Sequence, residues 1–166
     1  MKHWETPELA DFEIAEIKDA EAIFALQQRA YQSEAELYHD WNIPPLRETL
    51  EELKEEFKRQ LFLKVVLEGR IVGSVRGRLD KGTCHVGRLI VHPDFQQRGI
   101  GTRLLLELEK HCADAKRFEL FTGKQSEKNI HLYQQVGYCS FKEQHLSDKV
   151  TLVFMEKKIS NKNKPA

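Results

Sequence analysis

Residues 87–106 read Gly-Arg-Leu-Ile-Val-His-Pro-Asp-Phe-Gln-Gln-Arg-Gly-Ile-Gly-Thr-Arg-Leu-Leu-Leu. An apolar strand runs into Pro93, the chain turns through polar residues and two glycines, and a leucine-rich helix follows. The first turn of a helix leaves its backbone N–H groups without intrahelical acceptors, so such a layout offers a row of donors to an anion. Gly99 and Gly101 keep the backbone uncrowded, so an oxygen can approach closely. The helix dipole adds about 0.3–1 kcal/mol per anionic group. Gln96 carries an amide donor and Arg98 a positive charge. The loop lacks the Gly-x-x-x-x-Gly-Lys-Ser/Thr of nucleoside-triphosphate loops and the third glycine of the dinucleotide fingerprint. On the glycines alone, an ordinary helix start remains an equal alternative.

Outward from this stretch, period-two and helical patterns alternate along the chain. Asp11–Ile17 reads as a strand, and Asp19 as the N-cap of a helix through Ala22, Ile23, Leu26 and Ala30. Ser33 to Pro45 breaks the pattern, and Pro44-Pro45 forbids one continuous helix. Helix resumes over 49–60. Leu61–Leu67 and Ile71–Leu79 form a hairpin about Glu68-Gly69-Arg70, and after a turn at Asp80-Lys-Gly82 the strand Thr83–Val91 leads into the glycine loop. The helix from Gly99 ends near Asp114. A short strand follows at Phe118–Phe121, then a helix capped by Ser126 and ended by Gly137, then strands at 138–144 and 150–156. The fold class is mixed α/β, in one domain with a core at about 11–158 and a flexible tail at 159–166.

Composition narrows the function. A chain of 166 residues buries roughly 70% of its unfolded surface, enough for a core without staples. Lys plus Arg equals Asp plus Glu, 26 each, which disfavours nucleic acid or another polyanion as partner. Cys84, Cys112 and Cys139 are odd in number and scattered, as in reduced, cytoplasmic proteins. No segment reads as a signal peptide or approaches the ~18 apolar residues of a membrane span. Neither Cys84-His85 nor His111-Cys112 has zinc-type spacing, so no metal is expected.

Val91-His-Pro93-Asp-Phe-Gln96-Gln-Arg-Gly99-Ile-Gly101-Thr-Arg-Leu104 resembles the acetyl-CoA motif of the GNAT acetyltransferase superfamily, Gln/Arg-x-x-Gly-x-Gly/Ala after a Val-x-Pro strand end. Asn129-Ile-His-Leu132-Tyr133-Gln-Gln-Val-Gly137-Tyr138 is similar to the later helix of that family. The resemblance implies a mostly antiparallel twisted sheet between helices, with a splayed central strand pair. It implies that Leu89, Ile90 and Val91 pair with the pantetheine arm like an added strand. It further implies that Gln96, Gln97, Arg98, Gly99, Ile100, Gly101 and Thr102 hold the pyrophosphate, and that Tyr133 protonates the departing thiolate, as a positioned O–H donor can. The asparagine that relatives place seven residues before the tyrosine is Ser126 here, and Asn129 is the candidate to supply its contact. Many relatives carry a glutamate as general base where this chain has Gly87. His85, two residues away and on the same side of the strand, is the candidate replacement, with a half-exposed strand histidine as the other reading.

Relatives bind their acceptor at the segment between the first two helices. Here it carries Glu34, Glu36, Tyr38, His39, Asp40, Trp41 and Asn42, a set suited to a small cationic amine through charge attraction and cation–π contact. A solvated helix end would look the same. The leading expectation is direct acetyl transfer from acetyl-CoA to a primary amine. The alternatives are a non-catalytic acyl-CoA-binding sensor module and acetylation of a protein N-terminus or lysine. Strand edges in this architecture leave a homodimer open.

Overall fold

The computed structural model describes residues 10–160. Apart from Ala10, Ile159 and Ser160, the expected lead-in and tail lie outside the described residues. In chain order the elements are β1 (Asp11–Ile14), α1 (Ala20–Ala30), α2 (Gln32–Tyr38), α3 (Pro44–Arg47), α4 (Leu50–Glu56), β2 (Leu61–Leu67), β3 (Arg70–Asp80), β4 (Thr83–Val91), α5 (Ile100–His111), β5 (Arg117–Gly123), α6 (Glu127–Val136), β6 (Cys139–His145) and β7 (Thr151–Lys158). Short 3-10 turns sit at Ile17–Asp19 and Pro93–Phe95.

The strands form one sheet in the order β1-β2-β3-β4-β5-β7-β6. All neighbours are antiparallel except β4 and β5, which are parallel and joined through α5. Alternation along the strands sends two sets of apolar side chains to opposite faces. On one face Val75, Cys84 and Val86 meet Ile100, Leu104, Leu105 and Leu108 of α5. On the other, Phe62 packs with Ile23 of α1 and Leu53 of α4, and its ring stacks on Phe57 at 3.9 Å.

Two departures from regular pairing shape the centre of the sheet. β4 and β5 pair only at Thr83↔Arg117, Cys84↔Phe118 and His85↔Glu119, and then diverge. This is the splayed pair expected from the resemblance. In addition, Ser74 pairs with Ile90 while Arg76 pairs with Gly87, so β4 holds one residue more than β3 over this interval. The extra residue is a bulge, and Arg88 within it takes a left-handed φ of 48°.

Several local expectations are corrected. Ser33–Tyr38 is helical, as most of α2, and ends at His39 with φ 52°. Only Ala35 and Tyr38 are buried on it, too few positions to show a period. Pro44 and Pro45 open α3, where a missing N–H removes no helical bond. The Asp19 side chain makes no bond to α1: its carboxylate accepts from the Glu16 N–H and from Lys64 Nζ, both at 2.8 Å. β1 ends at Ile14, because the chain turns into a 3-10 turn at Ile17.

Candidate active site

The loop between β4 and α5 is built by its own side chains. Gln96 Nε2 donates to the Val91 carbonyl at 3.1 Å, tying the loop back to the strand end. Arg98 donates to the Asp94 carbonyl and lies over the Phe95 ring, 5.1 Å from its centroid. These two side chains, expected to reach a phosphate, are thus engaged in holding the loop. Gln97 and Gly99 both take left-handed conformations, φ 63° and 79°. Chain that alternates hand in this way gathers successive N–H groups into an anion-binding concavity. Among the described residues, the N–H groups of Gln97, Arg98 and Gly99 donate to no backbone acceptor. Ile100, Gly101 and Thr102 begin α5, whose first-turn N–H groups are free by helix geometry. A Cβ on Gly101 would stand 3.4 Å from Leu132 of α6, so the two helices meet closely at this corner.

From the loop, the free edge of β4 runs down the cleft between β4 and β5. Ile90 and Val91 pair with Ser74 and Gly73 of β3 on one side, Leu89 sits beside them in the bulge, and all three lie past the last β4–β5 pair on the other side. Their outward backbone groups can accept an added strand. Tyr133, on α6, is buried in the core beside Tyr138, ring centroids 6.2 Å apart. Burial pushes the Tyr133 phenol above its ordinary value, and Tyr31 and Glu34 push it the same way. It therefore stays protonated at neutral pH.

The acceptor segment is partly spent on structure. Glu34 accepts from Ser126 Oγ at 2.6 Å and from Asn129 Nδ2 at 3.3 Å. Asn129 also reaches Thr122 Oγ1. Ser126 precedes α6 but makes no side-chain cap bond, and its hydroxyl lies 2.7 Å from the Tyr38 hydroxyl. Tyr38 is buried, and it also accepts from the Gln125 N–H. Its ring is part of the scaffold and does not open to an amine. Asp40 accepts from the Asn42 N–H, and Trp41 is 57% exposed. Glu36 lines a cavity of about 300 Å³ with Arg29, Gln32, Ser33, Pro93 and Gln96, between the acceptor segment and the phosphate loop. The five expected substrate residues are therefore not gathered into one pocket.

His85 pairs across to Arg78 and Glu119, at the closed end of the cleft, and its Nδ1 lies 3.5 Å from Glu119 Oε2. Glu119 is also bound by Arg117, at 2.6 Å. Sequence reasoning missed a second group on this face. Arg76 donates to both oxygens of Glu48, at 2.9 and 3.0 Å, and to Gln27 Oε1. Gln27 donates in turn to Glu48 at 2.8 Å. Burial raises the Glu48 carboxyl, but these bonds outweigh it and hold the group below its ordinary value. Polar residues at helical and strand positions that face the sheet were the available signal.

The chain matches the model of the Acetyltransferase (GNAT) family over residues 20–138. It is 30% identical over 119 residues to UPF0157 protein YqkA of Bacillus subtilis, covering 72% of this chain and 34% of that protein. The chain thus spans about a third of that relative's length. It is 33% identical over 122 residues to Acetyltransferase ECA0875 of Pectobacterium atrosepticum, covering 72% of this chain and 81% of that one. Among solved structures it resembles an acetyltransferase of the GNAT family from Streptococcus pneumoniae, with TM-score 0.73, 20% identity, and 91% and 99% of the two chains covered. It resembles equally the PaiA N-acetyltransferase from Thermoplasma acidophilum in complex with coenzyme A, with TM-score 0.73, 20% identity, and 90% and 99% covered. At these identities the structural likeness speaks for the fold.

Proposed function

The chain belongs to the acetyltransferase (GNAT) family of acyltransferase enzymes, and on that footing we propose that it is an N-acetyltransferase acting on a small primary amine. The observation that carries the reading is the pairing of unbonded loop N–H groups at the open end of the β4–β5 cleft with a buried, protonated phenol on α6.

Acetyl-CoA supplies a thioester whose carbonyl carbon accepts the amine. The N–H groups from Gln97 to Thr102 hold its diphosphate, and the β4 edge at Leu89–Val91 aligns its pantetheine arm. The neutral amine forms the new N–C bond as the C–S bond breaks. A strand N–H near Ile90 or Val91 steadies the carbonyl oxygen as charge develops there. The phenol of Tyr133 gives its proton to the departing sulfur. The nitrogen loses a proton to water or to His85, which lies 3.5 Å from Glu119 at the closed end of the cleft. Ser126 and Asn129 support this site through Glu34, as positioning residues. No metal takes part, and no cysteine carries the acyl group. Cys84 and Cys112 are buried against each other, with sulfurs 3.2 Å apart, and Cys139 lies on the exposed strand β6.

The acceptor stays at the level of a primary amine, because Glu34 and Tyr38 are engaged within the fold. The protein is further proposed to work in the cytoplasm, with no nucleic-acid or membrane partner. The test is thiol release from acetyl-CoA across a panel of amines, with initial-rate patterns for both substrates. Intersecting patterns are expected. Ping-pong kinetics would contradict direct transfer, and coenzyme A binding without turnover of any amine would favour a sensor module.

A further inference from the structure

The β4 bulge does more than interrupt pairing. In a regular strand successive side chains alternate faces. The extra residue in β4 lets Gly87, paired with Arg76, and Arg88, which approaches Glu48, both serve the face covered by α1 and α3. Holding a non-glycine residue at φ 48° carries a cost, and such strain persists where surrounding structure imposes it, often at functional sites.

What the strain presents is a guanidinium with unmet donors. Arg88 Nε is buried and has no hydrogen-bond partner, and Glu48 Oε1 stands 3.9 Å away. Glu48 has little to offer, because Arg76 and Gln27 already occupy both of its oxygens. Two guanidinium groups thus face one carboxylate, and the oxygen nearest Arg88, Oε1, already accepts two bonds. Next to Arg88 there is room: a Cβ placed on Gly87 would meet, within 4 Å, only the Arg76 Cγ at 3.9 Å. The position is also on the reacting side. Arg88 directly precedes Leu89, Ile90 and Val91, the stretch of β4 that lies past the last β4–β5 pair and lines the cleft.

A half-buried guanidinium whose Nε is buried and unpaired, beside open space, calls for a planar anion that can take two parallel bonds. We propose that the acetylated amine carries a carboxylate, and that Arg88 binds that carboxylate above Gly87, making Arg88 a specificity-determining residue. The acceptor class is then an amino acid rather than a polyamine. This rests on the acetyltransferase reading and sharpens it.

The test uses the full chain with acetyl-CoA and pairs of acceptors: α-, β- and γ-amino acids, each beside its carboxamide. In the wild type, kcat/KM for at least one amino acid exceeds that for its amide by about 10–100-fold, the range of a lost charge-assisted hydrogen bond. In Arg88→Gln that ratio collapses toward one, and Arg88→Lys restores part of it. Acetyl-CoA affinity, measured by titration, checks that each variant is folded. Acetylation of amides or polyamines with equal or greater efficiency overturns the carboxylate inference while leaving the acetyltransferase reading intact. An unchanged ratio in Arg88→Gln overturns the role of Arg88. Failure to acetylate any amine, with acetyl-CoA bound, overturns both.

Discussion

A phenol can protonate a thiolate only while it keeps its own proton, and the surroundings of Tyr133 secure that. Burial raises it above the ordinary 10.0, and the neighbouring Tyr31 and Glu34 add to the effect. Tyr133→Phe should therefore lower kcat by about 10²–10⁴-fold, the usual worth of a positioned proton donor, with coenzyme A affinity unchanged by titration calorimetry. The pH profile follows from the same shift. The acceptor reacts as free amine, so the rate rises with pH, and Tyr133 introduces no fall below pH 10.0. A basic limb near pH 8 that vanishes in the phenylalanine variant would place the Tyr133 pKa in the wrong direction. At this scale the sequence was legible where chemistry is backbone-borne: the glycines and proline of the loop announce their geometry through conformational demands. It was less legible for side chains, since Tyr38, Glu34 and Asn129 show their partners only after α2 and α6 have met. Arg88 was invisible, because a bulge leaves no residue-type signature.

Elements were readable where turn chemistry brackets them. β2 and β4 fall at the expected boundaries, set by Gln60, Glu68-Gly69 and the turn before Thr83. α2 was missed because a two-turn helix with two buried positions carries almost no periodic signal. Yet α2 holds the strictest packing constraint on the cleft. A Cβ on Gly123, at the end of β5, would lie 1.9 Å from the Tyr38 hydroxyl and 2.3 Å from its ring carbon Cζ. Neither the strand backbone nor a tyrosine hydrogen-bonded to Ser126 and Gln125 has room to retreat. Gly123→Ala should destabilise the protein by about 1–3 kcal/mol, read as a lower denaturant midpoint. Because the clash is with one side chain, Tyr38→Ala and Gly123→Ala should be far from additive, the double variant being more stable than the sum of the two losses predicts. Additive losses would mean that α2 does not rest on β5 in solution.

Across the whole molecule, two buried ion pairs fasten the helical layer that covers the acceptor side to the sheet. Lys64 of β2 meets Asp19, just before α1, at 2.8 Å, and Arg76 of β3 meets Glu48, between α3 and α4, at 2.9 Å. For both acids burial acts upward, but hydrogen bonds and the partner cation prevail, so each sits below its ordinary value of 3.8 or 4.5 in the folded state. A carboxyl lowered on folding contributes stability that is fully present above its unfolded value and lost as pH falls through its folded value. Stability should therefore be insensitive to these groups from neutrality to about pH 5, then decline steeply below pH 4.5. The layer they anchor carries Arg88's neighbours and the acceptor segment, while α5 is held to the opposite face chiefly by apolar contacts, with Glu109 also bound by Lys157 and Tyr138. Acid should accordingly loosen the acceptor side first. Acceptor KM should rise before coenzyme A affinity falls as pH drops through this range, once the rate is corrected for amine protonation with a reference amine. Glu48→Gln should lower stability at pH 7, because a neutral amide partners Arg76 less well, and should flatten the acid limb. Hydrogen exchange at pH 4 that opens α5 no later than α1 would show that these pairs do not hold the two layers separately.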